Sequence, residues 1–313
     1  MKWSDRLDLV FDQYYDKSLK NAVREKRGSG IRYKVQTKVK LPPKWSDFLF
    51  VSENKKELFH FLAREIEQHK FETRKQVTVT MGSQVLTINS PPMQACTHEE
   101  ADSRILIHIL DGLEEGHNSF LVRTVDTDVV VICMAKFHNL VARYPDINVW
   151  IKLGSGTAIQ TIHLNSLCEE HGESICQSVP IFHTLTGCDT TSSFKGKAKK
   201  SAWQAWKSYP AITPIFQYLS QNPFFHMEIE SSEFKVIQNF IVHMYSKNME
   251  AKSVNEGRKL IFALNQNMEK IPPTEDALLQ HVKRAIYQSG SFNHAIESKY
   301  IKGLKNSIKK FMR

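Results

Sequence analysis

Acidic residues recur in this sequence at the ends or starts of predicted secondary-structure elements. They are Asp12, Glu100, Asp102, Asp126, Asp128 and Asp189. Two carboxylates held close together repel each other unless a positive charge lies between them. A hard divalent cation, Mg²⁺ or Mn²⁺, supplies such a charge and is bound by carboxylate oxygens. The acids therefore predict a divalent-metal site at which these side chains converge.

The pair Asp126 and Asp128 follows an apolar run over residues 120–124. Such a run predicts a buried parallel strand, which places both acids at or just beyond the carboxyl end of the strand. Ligands bind at that edge in open α/β sheets. In the alternative interpretation, Asp126 caps the following helix and Asp128 is a solvated acid of its first turn.

The second pair, Glu100 and Asp102, lies where Thr97-His98-Glu99-Glu100 predicts the start of a helix through a Thr-x-x-Glu capping pattern. Residues two apart in a helix point about 200° away from each other. Glu100 and Asp102 converge only if Glu100 lies at an irregular first turn. Otherwise Glu99 with Asp102, three residues apart, is the better pair.

Positive residues cluster along the chain, which has a formal net charge of +9 and a pI near 9.2. The clusters cover residues 17–40, 195–207 and the tail from residue 299. They predict a polyanionic partner, of which nucleic acid is the main candidate. Each cluster has an alternative interpretation as a solvated helix face, or as a frayed end in the case of the tail.

The periodicity predicts an α/β architecture. A short strand leads to Asp12, and a hairpin is predicted over residues 77–88. From Thr97 onward strands and helices alternate, including a helix from Thr157 to His171, in the manner of a parallel sheet with crossover helices. Beyond Phe194 only helices are predicted. We expect an α/β domain at 1–222, with a basic segment and hairpin insertion at about 28–92, and a helical region with a basic tail at 223–313.

Other sequence features limit the classes of protein to which this chain can belong. The N-terminus has no signal-peptide pattern and no apolar run is long enough to span a membrane, so an intracellular location is expected, with the nucleus as one option. Five cysteines without a Cys-x-x-Cys pair predict reduced thiols and no cysteine zinc site. No Ser-His-Asp arrangement is evident. Among the histidines, His183 is the one predicted to approach Asp189.

The acidic motifs, in this order, resemble the PIN-like superfamily, and within it the flap-endonuclease (structure-specific 5′-nuclease, XPG-like) branch. Val10-Phe11-Asp12 is similar to that family's strand-Asp segment, and Glu100-Ala101-Asp102 to its Glu-Ala-Glu helix start. Thr124-Val125-Asp126-Thr127-Asp128 resembles its Asp-x-Asp strand end. Leu185-Thr186-Gly187-Cys188-Asp189 resembles its Leu-x-Gly-Cys-Asp segment. The resemblance covers roughly residues 7 to 207.

The resemblance implies Mg²⁺- or Mn²⁺-dependent hydrolysis of nucleic-acid phosphodiester bonds, with DNA preferred to RNA as the partner. All six acids would be metal ligands and catalytic residues. The first ion would be bound mainly by Asp12 and Glu100, and the second by Asp102, Asp126, Asp128 and Asp189. Lys20 and Arg24 would contact the scissile phosphate. The residues that would bind nucleic acid are Lys20, Arg24, Arg27, Lys195, Gly196, Lys197, Lys199 and Lys200.

Two departures from the family pattern keep alternatives open. The family begins with an earlier strand that carries another metal-binding Asp, and nothing before Leu7 matches it. Ala198 replaces the second glycine of the family's nucleic-acid-binding turn. The alternatives to a metal-dependent nuclease are a catalytically inactive nucleic-acid-binding relative and a protein-interaction scaffold.

Overall fold

The computed structural model describes residues 4–15, 30–40, 42–69, 74–247 and 249–293. Over these residues the protein is mixed α/β, with two three-stranded sheets and many helices. The chain divides into two compact units. The first contains the described residues up to Glu115, and the second runs from Gly116 to the end of the described chain.

Among its described residues, the first unit contains three strands and three helices. They are β1 (Arg6–Leu9), α1 (Trp45–Phe50), α2 (Ser52–Gln68), β2 (Gln76–Met81), β3 (Gln84–Ile88) and α3 (Ala101–Glu114). β1 pairs with β2 in parallel, and β2 pairs with β3 in the predicted antiparallel hairpin. Gly82 forms its turn with φ +62°, a left-handed conformation that glycine adopts without steric cost. Val77 and Val79 are buried and form a core with Ala63 of α2.

A charged network supports β1. The Arg6 side chain is only 6% exposed, and its guanidinium lies 3.0 Å from Asp8, 2.6 Å from Asp111 and 3.1 Å from Glu115. The Nδ1 atom of His108 lies 3.1 Å from an oxygen of Asp8. One buried guanidinium thus compensates three carboxylates that would otherwise repel each other. This network links β1 to α3.

The network makes the first unit sensitive to acid. Burial alone would raise the pKa of Asp8, but hydrogen bonds from His108 and Arg6 and their positive charges outweigh burial and hold that pKa below its usual value. A lowered pKa contributes stability above the ordinary carboxyl pKa, and this contribution is lost as pH falls from about 5 through the native-state pKa. We expect thermal unfolding to shift to lower temperature over that window.

The measurement is circular dichroism melting between about pH 6 and pH 3. Asp8→Asn should lower stability at neutral pH and flatten the pH dependence. Asp5→Asn, which removes an exposed carboxylate, should leave the dependence unchanged. Equal pH profiles for the wild type and Asp8→Asn would contradict the role assigned to the network.

The second unit contains three strands and seven helices among its described residues. They are β4 (Ser119–Thr124), α4 (Thr127–Arg143), β5 (Asn148–Leu153), β6 (Gln160–His163), α5 (Leu164–Leu185), α6 (Lys199–Ser208), α7 (Thr213–Gln221), α8 (Ser232–Tyr245), α9 (Val254–Asn265) and α10 (Glu275–Asn293). The sheet order is β4-β5-β6. β4 and β5 are parallel and joined by α4, as predicted, whereas β5 and β6 are antiparallel.

The helix predicted from Thr157 to His171 was wrong in its first half. Residues 160–163 form the edge strand β6, because Thr161 and Ile162 pair with Lys152 and Ile151 of β5. Helix α5 begins only at Leu164 and continues to Leu185. A kink divides it at Gly172, where φ is +77°.

Among the described residues after Phe194, the secondary-structure elements are all helices, joined by turns and loops, as predicted. Helix α10 packs against α5, since Thr184 Oγ1 donates to the Ala285 carbonyl at 3.0 Å and His281 Nε2 lies 2.7 Å from the Leu185 carbonyl. Buried Phe216, Phe234 and Phe240 fill the core between the helices of this unit. Among the described residues, no helix has the length and apolar character needed to cross a membrane.

Candidate metal centre

The end of β4 positions the acidic pair of the second unit. Asp126 has an extended backbone (φ −100°, ψ 131°) and is the N-cap of α4. Its amide donates to Thr124 Oγ1 at 3.0 Å, and its Oδ1 accepts from the Asp128 amide at 2.9 Å. The alternative interpretation of Asp126 as a helix cap is therefore realised in the structure. Capping engages one of its two carboxylate oxygens.

Asp128 lies in the first turn of α4, beside Asp126. Both residues are half-buried, and a carboxylate oxygen of one lies within 4.8 Å of a carboxylate oxygen of the other. Asp128 is not the solvated acid of the alternative interpretation, because only 16% of its side chain is exposed. Two partly desolvated carboxylates at this distance require positive charge nearby. Hard oxygen donors of this kind suit Mg²⁺ or Mn²⁺.

The capping role and the charge of Asp126 can be separated by mutation. Asparagine is about as good an N-cap as aspartate, whereas alanine at this position costs about 1 kcal/mol. We expect Asp126→Asn to keep the stability of the second unit and Asp126→Ala to lower it by about that amount. Chemical denaturation of both variants measures the difference. Equal losses in both would show that the negative charge, and not the cap, stabilises the fold.

His183 of α5 faces Asp128. Its Nε2 lies 2.9 Å from Asp128 Oδ1, and its side chain is only 8% exposed. This contact lacks hydrogen-bond geometry, so Nε2 has no hydrogen-bond partner among the described residues. The sequence predicted that His183 would approach Asp189. The structure instead places it against Asp128.

Lys199 adds a positive charge to the same region. Its ammonium donates to the His183 carbonyl at 2.7 Å and to Thr186 Oγ1 at 3.1 Å. The residue as a whole is exposed, but desolvation of the ammonium lowers the pKa of Lys199 to about 8, although the nearby Cys188 and Asp128 favour the charged form. Lys199 was predicted only as a nucleic-acid contact. In the structure its ammonium contacts groups close to Asp128, and its role in binding nucleic acid stays a prediction.

The remaining predicted basic residues differ in how far they are engaged. Lys195 forms an exposed ion pair with Glu269 at 2.6 Å, and such surface pairs contribute little stability. The ammonium of Lys197 lies 4.8 Å from the centre of the Tyr245 ring. Gly196 has φ +73°, and Lys200 is exposed. The predicted contacts Lys20, Arg24 and Arg27 lie outside the described residues.

Asp189 is exposed on the turn after α5, where Cys188 and Thr191 form an isolated antiparallel bridge. It does not join Asp126 and Asp128 in a cluster of ligand atoms in the described second unit. Gly187 precedes this turn with φ +108°, and a Cβ atom there would lie 2.9 Å from Ser193 Cα. Only glycine combines this conformation with this close approach.

In the first unit, Asp12 lies at the start of α3. Its Oδ1 accepts from the Ala101 amide at 2.9 Å, and the Gln13 amide donates to the Glu99 carbonyl at 2.6 Å. Asp12 is thus brought next to the Glu100–Asp102 segment. Glu100 is the extended N-cap (φ −103°, ψ 140°), and it therefore lies at the irregular helix start that its convergence with Asp102 requires.

The capping pattern predicted at Thr97 was wrong, because α3 begins at Ala101 and its N-cap side chain makes no capping hydrogen bond. The carboxylate of Asp12 serves as the acceptor instead, from a distant part of the sequence. Sequence reasoning also missed Arg104. It is fully buried, and its guanidinium donates to the carbonyls of Phe11 (3.4 Å) and Gly82 (2.8 Å), which fixes the chain next to Asp12.

Comparison of the chain with protein-family models, with characterised proteins and with solved structures finds no match. The resemblance to PIN-like nucleases therefore rests on the sequence motifs alone.

Proposed function

We propose that this protein is a divalent-metal-dependent phosphodiester hydrolase of the PIN-like, flap-endonuclease-like type. The observation that carries the proposal is the pair Asp126 and Asp128, two half-buried carboxylates within 4.8 Å of each other at the carboxyl end of a parallel strand. Metal-dependent nucleases need such carboxylates to hold ions against a phosphate. The basic composition supports a polyanionic substrate, with DNA as the preferred one.

The residues of the second unit have distinct roles in this proposal. Asp126 and Asp128 bind Mg²⁺ or Mn²⁺, and a bound ion of this kind polarises a phosphate and lowers the pKa of a water. His183 restricts the side chain of Asp128. Lys199 offsets part of the negative charge, and Lys200 contributes to binding of the nucleic-acid backbone. For Asp12, Glu100, Asp102 and Asp189 the role of metal ligand stays a prediction from the resemblance.

A second candidate is a nucleic-acid-binding relative without catalysis. The contacts around Asp128 favour it, because His183 lies 2.9 Å away and Lys199 is close enough to interact electrostatically. Lys199 thus offers Asp128 positive charge without an ion, and His183 restricts the space beside the carboxylate. In this case Asp126 acts only as a helix cap.

Cleavage assays with end-labelled single-stranded, flapped and duplex DNA, and with matched RNA, distinguish the two candidates. The proposal predicts cleavage in Mn²⁺ that stops when the ion is chelated. Substrate binding without cleavage in Mg²⁺ or Mn²⁺, at protein concentrations well above the dissociation constant, would favour the inactive relative and contradict the hydrolase.

A further inference from the structure

One face of the sheet β4-β5-β6 is exposed. The register of the three strands places eight residues on it: Ser119, Leu121, Arg123, Asn148, Trp150, Lys152, Thr161 and His163. Leu121 is 61% exposed and Trp150 is 40% exposed, whereas Val149 and Ile151 on the opposite face are buried. Parallel strand pairs are normally covered on both faces. The exposed apolar side chains therefore mark a surface suited to a partner.

The centre of this face is a rigid aromatic platform. The rings of Trp150 and His163 are stacked, with centroids 4.3 Å apart and planes inclined by 23°. Hydrogen-bond contacts fix both nitrogens of His163, since Nδ1 lies 2.7 Å from Ser166 Oγ and Nε2 lies 3.0 Å from Asn148 Oδ1. A ring held in this way loses little conformational entropy when another flat group stacks on the pair.

Two cationic residues lie beside the platform. Arg123 and Lys152 are register partners on β4 and β5, next to the paired Leu121 and Trp150. None of the eight outward positions carries Asp or Glu. An exposed aromatic ring beside cations, on a sheet, is suited to unpaired bases joined by phosphates.

We propose that this face binds single-stranded nucleic acid, with one base stacked on Trp150 and phosphates contacting Arg123 and Lys152. Arg123 lies three residues before Asp126 in the sequence. A nucleic-acid strand bound along β4 would therefore extend toward Asp126 and Asp128, which lie at the end of β4. The inference extends the proposed hydrolase but does not require it, since stacking and phosphate contacts need no divalent ion.

A protein partner fits this face less well. Stable protein interfaces use about 20–30 residues from each partner and have an apolar centre. This face offers eight outward positions, and its large apolar side chains are Leu121 and Trp150. A single strand of nucleic acid needs fewer side chains, because each stacked base contributes substantially to binding.

The test is fluorescence anisotropy of labelled oligothymidylate, about ten nucleotides long, titrated with full-length protein in excess chelator. We expect Trp150→Ala to weaken binding about tenfold or more and Trp150→Phe, which keeps a ring, to weaken it less. Arg123→Ala combined with Lys152→Ala should reduce the slope of log affinity against log salt by about 1.4. Tyr218→Ala removes a 44% exposed aromatic side chain of α7 and should leave binding unchanged.

The proposal would be overturned if Trp150→Ala and the double variant of Arg123→Ala with Lys152→Ala both bound oligothymidylate with wild-type affinity. Absence of oligothymidylate binding by the wild type would also overturn it. Self-association that Trp150→Ala abolishes, measured by sedimentation, would then identify a second copy of the chain as the occupant. Circular dichroism melting confirms that each variant is folded. Because binding is measured in excess chelator, oligothymidylate binding by a wild type that shows no Mn²⁺-dependent cleavage would contradict the hydrolase proposal and leave this one standing.

Discussion

Arg6→Met is expected to lower the free energy of unfolding of the first unit by about 3 kcal/mol. Methionine keeps much of the volume of the side chain but leaves Asp8, Asp111 and Glu115 without the guanidinium that all three contact. Removal of one partner from a buried ion pair typically costs 3–5 kcal/mol, and the lower value applies because the three carboxylates are 15–24% exposed.

Urea denaturation followed by circular dichroism measures this loss. Arg6→Lys is the matched control. It keeps the positive charge but cannot form the forked contacts of a guanidinium, so it should lower the free energy of unfolding by less than Arg6→Met does. The triple variant in which Asp8, Asp111 and Glu115 are replaced by their amides should reduce the cost of Arg6→Met. A loss below about 1 kcal/mol for Arg6→Met, typical of exposed ion pairs, would contradict the network.

Asp128→Asn is expected to reduce Mn²⁺-dependent cleavage of DNA by at least about a hundredfold, the usual effect of removing one group that stabilises transition-state charge. The substitution changes one oxygen to an amide group of nearly the same size. It removes the charge that a divalent ion requires, while His183 keeps a polar neighbour. The fold should therefore be retained while activity is lost.

Initial cleavage rates of the wild type and variant, at saturating substrate, measure the effect. Asp146→Asn is the control, since it makes the same charge change at an exposed position of the second unit. It should cleave at the wild-type rate. Similar cleavage rates for Asp128→Asn and the wild type would show that Asp128 is not part of the proposed metal centre.

Much of the local structure follows from sequence patterns. The alternating residues that predicted a hairpin over 77–88 and the apolar run of β4 each predicted the element that the structure contains. The position of Asp126 at the end of β4 followed from the same run. These predictions succeeded because burial of one face or one strand imposes a periodicity that can be recognised locally.

The failures arose where distant contacts decide the local conformation. The four residues of β6 are too few for a periodic signal, and pairing with β5 makes them a strand. The start of α3 is set by Asp12, which is far away in the sequence. Lys199 belongs to a lysine-rich segment typical of a solvated helix face, and only the fold shows that its ammonium reaches the His183 carbonyl. No local pattern encodes such contacts.

Calorimetric titration of the protein with Mn²⁺ tests the central claim most directly, because it requires no knowledge of the substrate. The account predicts that the wild type binds Mn²⁺, that Asp126→Asn and Asp128→Asn lose the tightest site, and that Asp146→Asn binds as the wild type does. Absence of Mn²⁺ binding by the folded wild type, or unchanged tight binding in both Asp126→Asn and Asp128→Asn, would contradict a metal centre at this pair.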